Sequence, residues 1–248
     1  MSNIKLKDLK VGQVFVTNQG GSCTVTSISD YRNIGIEHND KYKHTMTVRL
    51  QRLNKGEVNN PYFPTLLGVG FQGKGQYSPV IDKVAYKMWS AMMTRAYCSK
   101  TKTRQPSYTG VTVCEEWHNF QNFAEWFYEL GGYSKGFQLD KDIVQKGNKL
   151  YSPNTCVLVP QEINKLFIVR GGNGSPTGVY RRKGRYEVKA GQKYVGIYSC
   201  ESEAIQAYHT AKSGNILSIL SKWQDKVSPL VVSKLKLLAT EKGSVMYA

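Results

Sequence analysis

Four histidines, five cysteines and a scatter of carboxylates are the residues of this 248-residue chain that could bind a metal, move a proton or attack an electrophile. Cys23, Cys98, Cys114, Cys156 and Cys200 are odd in number and never form a CxxC pair. Neither a zinc knuckle nor a disulfide framework is readable, and buried thiols in a reducing cytoplasm are expected. His38, His44, His118 and His209 make no HxH or HxxxH cluster, and His38, His44 and Asp40 read as a solvated hairpin tip. Glu115 and Glu116 are neighbours and cannot both face one site on a helix, so they are not an acid–base pair. The glycine-rich LGVGFQGKGQY lacks the GK[ST] and the helix start of a P-loop. It reads as a linker, or as a strand pair lying close to a nucleic-acid backbone.

What remains is charge. Thirty-four Lys and Arg against eighteen Asp and Glu leave a net charge of +16 and a pI near 9.6. That balance points to a polyanionic partner, nucleic acid before an anionic membrane. No apolar run reaches transmembrane length and the opening MSNIKLKDLK is not a signal peptide, so a cytoplasmic location and no membrane partner are expected. With 40% hydrophobic and 11% aromatic residues the chain can build packed cores.

The elements that must position any site divide into three stretches of an α+β protein. Residues 1–78 alternate strand-like segments (Gln13–Thr17, Cys23–Ile28, Ile34–Glu37, Thr45–Leu50) with turn signals, as in a small barrel or curled sheet. Residues 79–170 open with a helix over Ile81–Ser99, whose Met and Trp stripe is core and whose polar side carries Lys83, Lys87 and Arg95. A basic loop with Lys100, Lys102 and Arg104 follows. A second helix starts near Glu115 to Asn119 and stops at Gly131-Gly132, with Phe120, Phe123, Ala124 and Phe127 on one face. Residues 171–248 begin with a GGNGSP break. They continue as three strands (Gly178–Arg182, Arg185–Ala190, Lys193–Tyr198), a helix from Ser202, and a helical segment over Asn215–Thr240 divided at Ser228-Pro229.

The middle stretch closes with LDKDIVQKGNKLYSPNTCVLVPQEINKLF, Leu139 to Phe167. It reads as a strand, a Lys/Gly/Asn loop, a second strand over Thr155–Val159, and a helix over Gln161–Phe167 with Pro160 suited to its first turn. Two strands closed by a helix, together with the YSPxxC string, resemble the ββα core of HNH-superfamily nucleases of phages and mobile elements. The string VCxEW…F..F..W ahead of it, here Val113, Cys114, Glu116, Trp117, Phe120, Phe123 and Trp126, resembles the same proteins. The resemblance implies a metal pair, Asp140 and Asn164, whose hard oxygen donors suit Mg²⁺ or Mn²⁺. It places Lys141 where the family has its general-base histidine, and Thr155 or Asn154 where an asparagine orients that base. His118 is the one histidine of the middle stretch and so the local candidate to replace that base; the other reading is a structural or solvent-facing histidine.

In the last stretch, Gly178-Val179, Tyr186, Val195-Gly196-Ile197-Tyr198 and the helix EAIQAY resemble the APETALA/ethylene-response-factor type of DNA-binding domain. There a three-stranded antiparallel sheet lies in the major groove. The resemblance implies Arg181, Arg182, Arg185, Tyr186, Lys189 and Lys193 as DNA contacts, with Tyr194 beside them. Because strands alternate, only some of these face one way. Arginine would read guanine bidentately or grip phosphate.

The sequence therefore predicts a small β module, an HNH-like ββα core and a C-terminal sheet plus helix that binds double-stranded DNA. Two activities stay open: metal-dependent phosphodiester hydrolysis of homing-endonuclease type by a phage-encoded protein, or DNA binding without cleavage in a regulatory or anti-host role. An RNA- or protein-binding adaptor is a third. The C-terminal helices are expected either to pack on the preceding sheet or to form a homodimer interface.

Overall fold

The computed structural model describes residues 4–130, 136–167 and 178–243. The chain is α+β with several small sheets, and it forms two compact units, Met1–Gly132 and Tyr133–Ala248. The division falls inside the stretch 79–170 that sequence patterning treats as one core. The Gly131-Gly132 helix stop and the GGNGSP break lie outside the described residues. No described helix is long and apolar enough to cross a membrane.

In the first unit, β1 (Val14–Val16), β2 (Ser22–Asp30), β3 (Asn33–His38) and β4 (Thr45–Val48) form an antiparallel sheet in sequence order. β1 and β4 stand at the two ends of that order, so the sheet is an open meander and not a closed barrel. Alternation puts Cys23, Val25, Ile34 and Ile36 inward, where they bury against Val48, Leu53 and Val58. β4 ends before Leu50 because a helical turn, α1 (Leu50–Asn54), begins there to bury Leu53.

α2 (Lys83–Tyr97) carries Trp89, Met92, Met93 and Ala96 into the interior. The expected basic loop after it is a helix, α3 (Ser99–Arg104). After a two-residue strand, β5 (Thr112–Val113), the chain makes a 3-10 turn over Glu115–His118. It then enters α4 (Phe120–Glu129), whose first turn is capped by the Asn119 side chain accepting from the Gln121 N–H at 3.0 Å. Trp117, Phe120, Phe123 and Phe127 are fully buried, so these aromatics are packing. The glycine-rich segment is not a linker. The Gln121 amide donates to the carbonyls of Gln72 and Tyr77, and a Cβ on Gly70, Gly73 or Gly75 would meet Trp89, Asn119 or Gln121 within 3 Å.

In the second unit β6 (Phe137–Asp140) pairs antiparallel with β8 (Val157–Pro160), Leu139 opposite Leu158. Between them lie a loop and the two-residue β7 (Leu150–Tyr151). α5 (Gln161–Phe167) follows directly and buries Ile163. β9 (Val179–Arg182), β10 (Arg185–Ala190) and β11 (Lys193–Tyr198) form the second sheet in the order β11-β10-β9. Lys183 and Gly184 both have positive φ at the β9–β10 turn, the requirement of a two-residue type I′ hairpin.

The helix expected from Ser202 and the first half of the segment after Asn215 are one 23-residue helix, α6 (Glu201–Trp223). After it comes α7 (Pro229–Gly243). Ala204 and Tyr208 of α6 bury against Val188 of the sheet. Ile216 and Leu220 bury against Val157, Val159 and Ile163 of the β6–β8–α5 unit, together with Val231, Leu235 and Ala239 of α7. Ser213 ties the two helices by donating to the Ala239 carbonyl at 3.0 Å. Of the apolar residues considered for a dimer interface, Ile216, Leu220, Val231 and Leu235 are buried within one chain, Ile219, Trp223, Val232 and Leu238 are partly buried, and Leu217 and Leu237 stay exposed.

Gly178 is the most closely packed of the described glycines in this unit. Its φ is +142°, and a Cβ there would stand 2.3 Å from the Tyr208 ring and 2.5 Å from the Lys189 carbonyl oxygen. Gly178→Ala is expected to lower the melting temperature well beyond Gly184→Ala. The latter also has a positive φ but open space around it, and should cost only about 1 kcal/mol. Thermal unfolding of the two variants beside the parent checks this. Equal melting temperatures for both would contradict the packing.

Candidate functional site

The β6–β8–α5 unit holds the residues with a proposed chemical role. Asp140 ends β6 with its carboxylate turned onto its own backbone: Oδ1 accepts from the N–H groups of Asp142 and Ile143, each at 2.8 Å. Burial raises its pKa, against the opposing pull of those two N–H groups. Lys141 is buried, only 6% exposed. Its ammonium donates to Asp142 Oδ2 at 2.8 Å and to the Asn148 carbonyl at 2.7 Å, and it lies 5.9 Å from the centre of the Tyr151 ring. Asn148 closes the same loop by donating to the carbonyls of Lys141 and Leu150.

The residues at the second strand's entry are equally occupied by the backbone. Thr155 donates to the Leu150 carbonyl at 2.7 Å and accepts from the Ser152 N–H at 3.1 Å, so it shapes the Ser152–Thr155 turn. Asn154 is exposed. Asn164, on α5, donates to Gln138 Oε1 at 2.8 Å. Gln138 and Asp140 are two apart on β6 and share its polar face, which places the Asn164 amide and the Asp140 carboxylate on one side of the hairpin. The donor set there is one carboxylate and two amides that are paired to each other. Among the described residues no group of three or more His, Cys, Asp or Glu could hold a metal ion.

His118 belongs to the first unit, and Asp140 and Asn164 to the second. Its Nε2 lies 3.0 Å from the Tyr97 hydroxyl, and burial holds its pKa below the usual histidine range. It lines a cavity of about 430 Å³ with Asp40, Tyr42, Tyr62 and Phe71. Asp40 there accepts from the Tyr42 and Lys43 N–H groups and from the Asn60 amide. His38 and His44, read from sequence as a solvated tip, stack with ring centroids 6.0 Å apart, and His38 is buried.

The β9–β11 sheet sorts its residues by face. Val179, Tyr186, Val188, Val195 and Tyr198 pack toward α6. Alternation and the strand register put Tyr180, Arg182, Arg185, Glu187, Lys189, Tyr194 and Ile197 on the opposite face. Of the residues the resemblance implies, Arg182, Arg185 and Lys189 lie on this outer face. Arg181 pairs with Tyr186 on the helix side. Tyr186 packs in that core and its hydroxyl donates to Glu201 at 3.5 Å. Lys193 is exposed at the hairpin end opposite Ala190.

Tyr180, Glu187 and Ile197 were not read as site residues from sequence. Anchoring the two-residue period on the buried Val188 would have found Tyr180 and Glu187. Ile197 and Tyr194 share the face only because a bulge at Val188/Lys189 shifts the register of β11. Glu187 is the one acidic residue of this face, held between Lys189 Nζ at 2.8 Å and Arg182 Nε at 3.2 Å. The Lys189 hydrogen bond, then the Arg182 charge, lowers its pKa. A concavity of about 620 Å³ opens among Arg182, Lys183, Arg185, Glu187 and Ile197.

Two substitutions test what the β6–β8 loop residues do. Lys141→Ala leaves Asp142 and the Asn148 carbonyl without their donor and is expected to destabilise by about 1–3 kcal/mol. Lys141→Met, which refills the volume, should recover part of the loss in urea unfolding. Asp140→Asn keeps an acceptor for the turn and removes a buried charge. Since the folded-state pKa of Asp140 is raised, its ionisation opposes folding once pH exceeds the ordinary carboxylate range. The asparagine variant should therefore match or exceed the parent's stability at neutral pH. The difference should vanish as pH falls through about 4. Denaturation curves at both pH values decide it.

No family model matches this chain, and neither a curated protein nor a solved structure is detectably similar to it.

Proposed function

We propose that this chain is a double-stranded DNA-binding protein whose contact surface is the outer face of the β9–β11 sheet, acting without strand cleavage in a regulatory or anti-host role. The observation that carries this reading is the composition of that face. Arg182, Arg185 and Lys189 alternate with exposed Tyr180, Tyr194 and Ile197, and its single carboxylate is already neutralised by Arg182 and Lys189. Guanidinium groups and an ammonium suit phosphates and base edges, while exposed aromatic and aliphatic side chains suit sugars and thymine methyl groups. The sequence resemblance of this stretch to the APETALA-type domain supports the same use.

The HNH-like β6–β8–α5 unit then serves as a scaffold. In the position of the resembled family's general base stands Lys141, whose ammonium donates to the Asp142 carboxylate and the Asn148 carbonyl. Hydrolysis keeps one supporting observation, the shared side of Asp140 and Asn164. A Mg²⁺ or Mn²⁺ ion held by their oxygens would polarise a phosphodiester, and among the described residues the place of the base is taken by Lys141.

Fluorescence anisotropy with a labelled duplex over a salt series tests the reading. The parent is expected to bind with a steep negative slope of log K against log salt. Arg182→Ala/Arg185→Ala should weaken binding on the order of tenfold and flatten the slope by about two. Unchanged affinity in that variant would remove the sheet from the interface. Supercoiled plasmid incubated with Mg²⁺, Mn²⁺ or chelator should stay intact. Metal-dependent nicking that disappears in Asp140→Ala would establish the nuclease instead.

A further inference from the structure

The first unit carries a basic surface of its own. Between residues 1 and 132 there are sixteen Lys and Arg and ten Asp and Glu. Six of the basic residues and none of the acidic ones lie between Lys83 and Arg104, so the rest of the unit is balanced at ten against ten. All of its net charge therefore sits on α2 and α3. A charged face that existed only for solubility would interleave both signs, as the rest of this unit does.

Geometry concentrates that charge further. α3 starts one residue after α2 ends, with Cys98 between them. The angle between the helices and the following turn enclose an open cleft of about 520 Å³. Its walls include Arg95 from α2, Arg104 from α3, and Gln105 and Tyr108 beyond. Its floor on α2 is built of small residues, Ala91 and Thr94 among them, which let a ligand approach the helix closely. No acidic residue lines it. Among the described residues neither Arg95 nor Arg104 takes part in an ion pair, and the Arg95 guanidinium lies 5.9 Å from the centre of the Tyr108 ring. Lys87 and Lys100 are exposed and Lys102 partly exposed on the same two helices. Two uncompensated guanidinium groups on one cleft repel each other until an anion enters. The fork of each guanidinium matches phosphate oxygens.

We propose that the α2–α3 cleft is a second nucleic-acid contact, gripping phosphodiester groups of the DNA backbone through Arg95 and Arg104 and reading no sequence. The inference rests on the DNA-binding function proposed above, but on different residues in a different unit. It predicts non-specific affinity, because backbone contacts position a protein on a duplex without reading bases.

The test uses the full-length chain with Arg95→Gln/Arg104→Gln, Arg182→Ala/Arg185→Ala, and all four substitutions together. Each is titrated with two duplexes of unrelated sequence across a salt series, with thermal melts to verify folding. The cleft variant is expected to lose on the order of tenfold in affinity, equally for both duplexes, with a slope flattened by about two. The fourfold variant should combine both losses. Arg95→Lys/Arg104→Lys, which keeps the charge, should retain most of the slope, a rescue that a purely structural role would not show.

A cleft variant with the parent's affinity and slope overturns the inference, whatever the sheet variant does. If the sheet variant alone is weakened, the proposed function stands without a second contact. If the cleft variant alone is weakened, the cleft stands and the sheet does not. A parent that binds neither duplex overturns both.

Discussion

One helix is asked to cover two different surfaces, and the rest of the second unit follows from how it does so. Ala204 and Tyr208 bury against the β9–β11 sheet, and Ile216 and Leu220 bury against the β6–β8–α5 unit and α7. Twelve residues separate corresponding members of the two pairs. At 100° per residue the second patch is turned by about 120° from the first. α6 therefore has no single apolar stripe; it has two, each matched to its own neighbour. Burying side chains such as Ile216, Leu220, Val231 and Leu235 contributes roughly 1.5–3 kcal/mol each, so both patches are needed to hold the unit together. The C-terminal end of α6 is fastened to α5 and β6 as well, with Lys222 donating to Glu162 at 2.6 Å and Trp223 edge-on to Phe137 at 5.9 Å.

Because α6 occupies one face of a three-stranded sheet, the other face is left to solvent. Its exposed Tyr180, Tyr194 and Ile197 have no core to enter, and its basic residues have only Glu187 to meet. Exposed apolar and cationic side chains on one surface are what the proposed DNA contact uses. The close approach of Gly178 to Tyr208 sets the distance between helix and sheet, and so holds the face in shape from behind.

The β6–β8–α5 unit shows the opposite arrangement, polar groups turned inward and locally satisfied. A buried ammonium is costly unless it is paired and hydrogen-bonded. Lys141 finds a carboxylate and a backbone carbonyl within 2.8 Å, and Asn148 pins the loop that supplies the second of these. The loop is thereby a device for folding a long strand connection. Its hydrogen bonds leave Asp140 turned onto its own backbone.

Periodicity and turn chemistry alone determined the elements: the meander strands around Val25 and Ile36, the Met and Trp helix, the β6–β8 strands with their helix, and the three C-terminal strands with their Lys183-Gly184 turn. These are short-range properties, set by alternation, glycine and proline within a few residues. The net charge, too, was plain from composition. Tertiary structure decided the remainder. Whether Lys141 points inward depends on Asp142 and on Asn148, seven residues away, and no local pattern encodes that. Strand alternation announced that Arg185 and Tyr186, neighbours on one strand, could not share a face. The bulge that brings Tyr194 and Ile197 onto the basic side came from the pairing of β10 with β11. The uncompensated arginines of α2 and α3 looked from sequence like a helix flank and a loop. They became one cleft only when α3 folded as a helix against the end of α2, because spatial proximity of charges is a property of packing and not of order along the chain.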